Sequence, residues 1–364
     1  LGWPEDAFFL VPDAVRTRFA EVKAKGVQAE AQWKKRFDAW AKASPDRAAA
    51  WDACWEKKVP ADLEKQMPKF DAAKPEATRN AGAKVLELLF KAVPSLMGGS
   101  ADLAPSTKTW IKEYGSFEKA TPSGRNLHFG VREHGMGAIL NGLAYHGGFI
   151  PFGSTFFIFT DYMRPAMRLA ALGHLQVIYV LTHDSIFVGE DGPTHEPVEH
   201  IASFRAMPNM AVIRPSDSNE TAYAWIAALN NRQGPTCLLL TRQNVPVIDQ
   251  AKYGKAAGLL KGAYVLAGAP DEKILFLATG SEVHLALQAH ERLKADGIGS
   301  RVVAMPSWEL FEKQDPKYKD GVIPPSLKKR VAVEAGAALG WDRYLGPKGV
   351  FIGISRFGAS APYK

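Results

Sequence analysis

From residue 72 onward the chain alternates two hydrophobic periods. The stretches "LQVIYVLTH" (175–183) and "PTCLLLTRQ" (235–243) are short, nearly continuous apolar runs that end in polar residues. That pattern predicts parallel strands buried on both faces. The segments "NAGAKVLELLFKAV" (80–93), "EHGMGAILNGLAYHG" (133–147) and "ETAYAWIAALNN" (220–231) instead read as helices. Asp217, followed three positions later by Glu220, predicts a capping-box start for the last of these. Gly135, Gly137, Ala138, Gly142 and Ala144 crowd the second, so a neighbour is expected close to its backbone. Residues 72–250 are therefore expected to form a doubly wound α/β domain, and in such sheets ligands sit beyond the carboxyl ends of the strands.

The pattern repeats after a linker, "VIDQAKYGKAAG" (247–258). Strands are predicted in "KILFLATGS", "SRVVAMPS", "KRVAVEAG" and "GVFIGIS", and a helix in "EVHLALQAHERLKADG" with Ser281 as its N-cap, which makes 258–364 another α/β unit. Residues 1–71 differ. Trp33, Phe37 and Trp40 recur at helical spacing, Ser44-Pro45 ends that helix, and Trp51 and Trp55 mark a second one. This spacing is read as packing, and the region as a helical connector lying against larger domains. The predicted architecture is thus two consecutive α/β domains with mainly parallel sheets flanked by helices, preceded by a helical linker.

Composition narrows the class. The chain has 364 residues, 46% hydrophobic and 23% charged, the balance of a globular protein of two or three domains. No apolar run approaches the roughly 18 residues of a membrane span, so no membrane is expected. The net charge of +7 is dispersed, which suits small anions at least as well as nucleic acid. No nucleic-acid motif accompanies it, and none is expected as a partner. Cys54 and Cys237 have neither ligand nor disulfide spacing, so a reducing cytoplasm is the expectation. The opening Leu1 and the closing "GISRFGASAPYK", a strand and turn with no closing helix, both read as cut ends.

Candidate chemistry gathers in the first α/β domain. In "FGVREHGMG" (129–137) a carboxylate, Glu133, stands at the mouth of an apolar helix. The loop "GEDGPTHEPVEH" (189–200) holds Glu190, Asp191, His195, Glu196, Glu199 and His200. His195 and His200 are five apart with Pro197 between them, so the i, i+4 zinc pattern does not fit and no metal ligand is assigned. The loop reads either as a solvated helix entry or, given its glycines and prolines, as a binding loop. Phe152, Phe156, Phe157, Phe159 and Tyr162 form an aromatic run in which an extended strand would set Phe157 and Phe159 on one face and Phe156 on the other. It could be core, or a ring wall for a flat heteroaromatic group. Arg79, His183 and Arg242 are either scattered surface charges or a set that reads a phosphate at a cleft rim.

Four long blocks then carry a resemblance. "GGSADLAPS" (98–106), residues 129–164 from "FGVREHGMG" to "FFIFTDYMR", "THDSIFVGEDGPTHEPVEHIASFRAMPNM" (182–210) and "LLLTRQN" (238–244) resemble the transketolase family, and the likeness continues through "LATGSEV" and "VAVEAG". It covers essentially the whole chain. The resemblance implies transfer of a two-carbon ketol unit from a ketose phosphate, such as xylulose 5-phosphate, to an aldose phosphate, such as ribose 5-phosphate or erythrose 4-phosphate. The setting would be the pentose phosphate pathway. It implies thiamine diphosphate with Mg2+ or Ca2+ as cofactors, and a homodimer with active sites at the subunit interface.

By the same resemblance Glu133 would bond the cofactor's aminopyrimidine nitrogen, inside an aromatic pocket of Phe156, Phe159 and Tyr162. Asp102 and Leu103 would touch the cofactor at the interface. Asp191 would read a donor hydroxyl, and His195 would stand near the reacting oxygens. Arg79, Ser106, His183 and Arg242 would clamp the substrate phosphate. His134 stands where many relatives carry an apolar residue. The Gly-Asp-Gly motif for metal and diphosphate is not found: the Asp-Gly pairs at 191, 296 and 320 lack a preceding glycine. The expectation is that 1–71 exits a diphosphate-binding domain lying outside this chain, that about one helix is missing at the end, and that the chain by itself is inactive. Dihydroxyacetone synthase, deoxyxylulose-phosphate synthase and a non-catalytic dimerising fragment are the alternatives; "THDS" and "RQN" favour sugar-phosphate transfer.

Overall fold

A computed structural model describes residues 2–362, which divide into two compact units, Leu1–Ala53 and Cys54–Lys364. The first unit is helical. Helix α1 (Asp13–Ala43) begins directly after Pro12, and α2 (Pro45–Trp55) follows with Pro45 at its first position. The expected aromatic face is present: Trp33 stacks on Phe37 at 5.1 Å, and Phe37 lies 5.3 Å from Trp40 and 5.8 Å from Trp51.

The second unit holds two sheets. Its first half runs α3 (Leu63–Gln66), β1 (Glu76–Ala77), α4 (Thr78–Ala92), β2 (Leu96–Ser100), α5 (Ala104–Thr107), β3 (Asn126–His128) and α6 (Glu133–His146). It continues with β4 (Ile150–Phe156), α7 (Thr160–Leu172), β5 (Ile178–Thr182), α8 (His200–Arg205), β6 (Ala211–Ile213), α9 (Ser218–Asn230), β7 (Thr236–Leu240) and β8 (Asn244–Val245). The six-stranded sheet has the order β3-β2-β4-β5-β7-β6 and is parallel throughout. Both faces are covered, so β2, β4, β5, β6 and β7 are buried along their whole length, as continuous apolar runs require. The chain steps from β2 outward to β3 and then returns to β4. The crevice between β2 and β4 is therefore the topological switch point, where such sheets bind ligands.

Glycines permit the tight layers. A Cβ on Gly137 would lie 2.8 Å from Ala166 Cβ, so α6 packs directly on α7, and one on Gly153 would lie 2.5 Å from Leu140 Cδ1. Gly142 faces open space, so only part of the expected glycine crowding serves this packing. The capping box at α9 is half formed. Asp217 Oδ1 accepts from Glu220 N at 2.8 Å, but the Glu220 carboxylate accepts from Ser216 N and from Tyr264 Oη instead of returning to residue 217.

The far end of α4 is tied off by Arg125. Its guanidinium lies 4.2 Å from the Tyr114 ring centre and 4.7 Å from that of Phe90. It donates to the carbonyls of Val93, Pro94 and Leu96 at 3.1–3.3 Å. Arg125→Met keeps the stem but removes the cation and these bonds, so we expect it to destabilise the fold by about 2 kcal/mol, read as a lowered Tm.

The second half contains β9 (Tyr264–Ala267), β10 (Glu272–Ala278), α10 (Val283–Ala295), β11 (Gly299–Ala304), α11 (Trp308–Glu312), α12 (Pro316–Val322), β12 (Arg330–Val333), α13 (Asp342–Leu345) and β13 (Val350–Ile352). Its sheet order is β13-β12-β10-β11-β9, parallel except for β9, an antiparallel edge that hydrophobic patterning did not reveal. Ser281 is not the N-cap of α10: a tight turn over Gly280–Glu282 comes first, and Ser281 Oγ donates to Glu282 at 2.6 Å. A buried charged network joins the two halves. Arg205 pairs with Glu334 through two bonds of 2.7 and 2.9 Å, and Arg214 reaches both Asp184 and Glu282. Burial alone would lower the basicity of Arg214, but the charges of Glu282 and Asp184 outweigh it and hold the guanidinium firmly protonated. Among the described residues, no helix is long and apolar enough to cross a membrane.

Candidate active site

All the candidate residues stand on one edge of the parallel sheet. Asp102, Leu103 and Ser106 follow β2, Phe159 follows β4, His183 follows β5 and Arg242 follows β7. Because α4 and α6 run antiparallel to the strands, their first turns, with Arg79 and Glu133, reach that same edge. Residues 102–103 and 156–159 flank the switch point.

The aromatic row departs from the extended-strand expectation. Strand β4 stops at Phe156, and Phe157–Phe159 form a tight helical turn. That turn swings Phe157 into the core, wholly buried against Phe204 and His200. It also brings Phe156 and Phe159 together, with centroids 5.7 Å apart and planes within 7°. His195 meets Phe159 edge-on at 5.4 Å, and Tyr162 extends the row at 6.2 Å from Phe159 while remaining largely exposed. The wall is thus Phe156, Phe159, Tyr162 and His195.

His183 also stacks on Phe156, with centroids 3.6 Å apart. It has a left-handed backbone, φ +60°, and so does Asp102 at +62°. Thr182 Oγ1 lies 2.8 Å from His183 Nδ1, and Arg79 Nη1 lies 3.4 Å from Nε2. Arg79 can only donate, so Nε2 accepts and Nδ1 carries the proton toward Thr182. Arg79 also donates to the Ser106 carbonyl at 2.9 Å, while its Nε is buried without a partner.

Electrostatics mark the spot. Burial, then Arg79, Arg242 and His195, push the pKa of His183 down to about 3, so its ring is neutral in the folded protein at ordinary pH. Burial and Arg242 lower the pKa of Arg79. Arg242 lies 3.9 Å from the carboxylate of the exposed Glu190. Two guanidinium groups and two imidazoles therefore converge, an arrangement suited to a phosphate.

Glu133 is the first residue of α6 and only 9% exposed. Among the described residues its carboxylate makes no hydrogen bond or ion pair, although the rest of the residue is largely covered. Asp191 stays exposed in a turn between Gly189 (φ 90°) and Gly192 (φ 78°).

Several supporting residues escaped sequence reasoning. Ser100, Thr107, Thr109 and Ser154 form a buried hydroxyl network under the Asp102–Ser106 loop, with Ser100 Oγ accepting from Leu103 N at 3.1 Å. Asp184 and Arg214 lie beside His183 as a buried ion pair at 2.8 Å. A charged residue directly after an apolar strand was the available signal for Arg214.

The chain matches the family model described as the transketolase pyrimidine binding domain over residues 74–247. The transketolase-like C-terminal domain matches at 262–364, and the transketolase thiamine diphosphate binding domain at 1–60. A transketolase of Geobacillus stearothermophilus is 53% identical over 99% of this chain and 54% of its own length. A chloroplastic transketolase of Craterostigma plantagineum is 47% identical over 100% of the chain and 70% of its own. Among solved structures, transketolase from Leishmania mexicana superposes with a TM-score of 0.93 at 43% identity, covering 98% of this chain and 52% of that one. A Pichia stipitis transketolase in complex with sedoheptulose 7-phosphate gives 0.93 at 38%, covering 98% and 53%. The chain spans about half the length of most of these relatives.

Proposed function

The chain belongs to the transketolase family, and on that premise we propose that the complete protein moves a two-carbon ketol unit from a ketose phosphate to an aldose phosphate. The observation that carries this reading is the convergence at the carboxyl edge of a parallel sheet of His183 and His195, both against the Phe156 ring, with Arg79 on His183 and the charge of Arg242 felt by both. We assign 72–250 to the pyrimidine-binding domain, 258–364 to the C-terminal domain and 1–71 to a linker from the diphosphate-binding domain.

The residues present fit the aminopyrimidine half of thiamine diphosphate. A carboxylate without a protein partner on a largely covered residue, at one edge of the sheet with a flat aromatic wall, suits a nitrogen heterocycle. When bound, that cofactor supplies a carbon nucleophile and an electron sink for breaking the ketose carbon–carbon bond. Glu133 would hold a proton against the ring nitrogen, and Phe156, Phe159 and Tyr162 would enclose the ring. Asp102 and Leu103 would reach the cofactor across a subunit interface. Asp191 would accept from a donor hydroxyl, and His195 would donate to the reacting oxygens. Arg79, Ser106, His183 and Arg242 would grip the phosphate. The Mg2+ or Ca2+ that accompanies the cofactor is assigned no ligand among the residues of this chain.

A second copy is part of the proposal. The outward faces of α6 and α7 carry Ile139, Tyr145, Tyr162, Leu169 and Leu172, each 52–70% exposed, on helices locked together by the Asn141-to-Ala166 bond of 2.9 Å. So broad an apolar face on two rigid helices suits a self-complementary dimer. Leu169→Glu is expected to raise the dimer dissociation constant about 100-fold by burying an unpaired charge, measured by sedimentation. Free Cys54 and Cys237 agree with a reducing, cytoplasmic setting.

The test is the complete protein with thiamine diphosphate, Mg2+, xylulose 5-phosphate and ribose 5-phosphate. Sedoheptulose 7-phosphate and glyceraldehyde 3-phosphate are the expected products. Product formed only with formaldehyde as acceptor, or only with pyruvate as donor, would move the assignment to one of the sister activities.

A further inference from the structure

His183 holds a left-handed backbone that a non-glycine residue keeps only when its surroundings fix it. The residue after it supplies a fixing point. Asp184, 1% exposed, accepts from Arg214 Nε at 2.8 Å. Arg214 is itself fully buried just after β6, and its Nη1 belongs to the C-terminal domain, while Nη2 is buried without a partner. Its Nη1 donates to the Thr279 carbonyl at 3.2 Å, to Thr279 Oγ1 at 3.1 Å and to the Glu282 carboxylate. The backbones are clasped as well, with Arg214 N donating to Pro306 O at 2.9 Å and Gly280 N to Arg214 O at 3.1 Å.

The segment 279–282 is shaped around that guanidinium. Gly280 has φ +54°, and a Cβ there would lie 2.6 Å from Arg214 Cζ, so only glycine lets the chain wrap the side chain. Behind it, Glu282 accepts from Ala335 N at 2.9 Å, and Glu334 accepts from Thr279 Oγ1 at 2.7 Å and Trp341 Nε1 at 2.8 Å. The two domains have another buried ion pair, Arg205–Glu334, with no hydrogen bond to the His183–Asp184 turn. Joining the domains therefore does not by itself require a bond to the residue next to His183.

The geometry points to Arg214 as a positioning residue through which the C-terminal domain, by Thr279 and Glu282, fixes the His183–Asp184 turn and with it the phosphate-binding end of the active site. This rests on the reading of His183 as part of the phosphate clamp. The guanidinium spans the two domains as one rigid plane, with its Nε edge on Asp184 and its Nη1 end on Thr279 and Glu282. Loosening either end frees the turn to relax from its left-handed backbone, and the His183 ring moves off Phe156 and Arg79.

The test compares xylulose 5-phosphate with xylulose, which differs only by the phosphate, in the complete cofactor-loaded enzyme. Arg214→Lys and Glu282→Gln are expected to raise KM for the phosphorylated donor about tenfold, the scale of a lost charge-assisted hydrogen bond. KM for xylulose and both kcat values should stay within about twofold of wild type if binding of the phosphate alone is affected. Thr279→Val, which removes one bond to the guanidinium, carries the same test should the charged variants not fold. Equal losses on both donors, or no change on either, would overturn the proposal. So would an equal shift of the KM ratio in Tyr264→Phe, which removes the cross-domain bond from Tyr264 Oη to Glu220, outside the Thr279–Glu282–Glu334 set around Arg214. His183→Ala separates the two readings. If it leaves the KM ratio unmoved, the clamp assignment fails; if it moves the ratio and Arg214→Lys does not, only the role of Arg214 fails.

Discussion

Replacing Glu133 by alanine in the complete protein should slow exchange of the thiazolium C2 proton with solvent by about 10²- to 10⁴-fold, the range that a positioned proton-handling group contributes. Glu133 is 9% exposed as a residue, and its carboxylate has no partner among the described residues, so the protein by itself supports that group only through the first-turn position on α6, where amide dipoles favour negative charge. Such a group is explained by a bound molecule that completes it. Two measurements separate function from structure. Exchange is followed by NMR after acid quenching of the loaded enzyme, and Tm is measured without cofactor. The variant should exchange slowly while its cofactor-free Tm does not fall. Unchanged exchange would remove Glu133 from its role, and a large drop in Tm would make it a structural residue.

The sequence resolved the parts of this molecule that depend on local period. Strands β5 and β7 and helix α6 fall inside the stretches whose patterning announced them, and α4 and α9 begin two residues before theirs, because runs buried on both faces and one-sided helices leave separate signatures. It failed where a short turn decides the outcome. Nothing in "STFFIFTDY" separates an extended strand from one that ends at Phe156 and coils through Phe159, yet that turn determines which phenylalanine enters the core and which two form a ring wall. The antiparallel β9 was hidden for a related reason: "AYVLA" is too short to declare an edge strand. Positions remote in sequence were the least legible. Arg79 precedes His183 by 104 positions, and only the sheet's strand order brings both to one edge. The resemblance to a known family supplied roles for these residues that no spacing argument could, whereas Arg214 and its partners in 279–282 emerged only from the buried contacts.

The phosphate clamp yields the second large effect, with a pH signature attached. Arg79→Ala is expected to raise KM for xylulose 5-phosphate about 100-fold, as loss of one charged hydrogen-bonding group implies, with little change for xylulose. In the wild type His183 stays neutral because burial comes first among the causes holding its pKa near 3, followed by the charges of Arg79 and Arg242. A pKa held below its unfolded value means that the folded protein binds fewer protons than the unfolded chain between about pH 3 and 6.5. Protonation of His183 therefore makes no contribution to phosphate binding from pH 6 to 8. Removing Arg79 takes away the second of those causes, so the pKa of His183 should rise part of the way toward its ordinary value. At the acid end of the range some His183 then carries a positive charge that partly replaces the missing guanidinium. The ratio of variant to wild-type KM should narrow as pH falls from 8 to 6, and taking the ratio cancels the ionisation of the substrate phosphate itself. A direct check is the His183 imidazole resonance in both proteins, which should titrate at higher pH in the variant. A KM ratio near one, or a His183 titration unmoved by loss of Arg79, would sink the clamp as drawn.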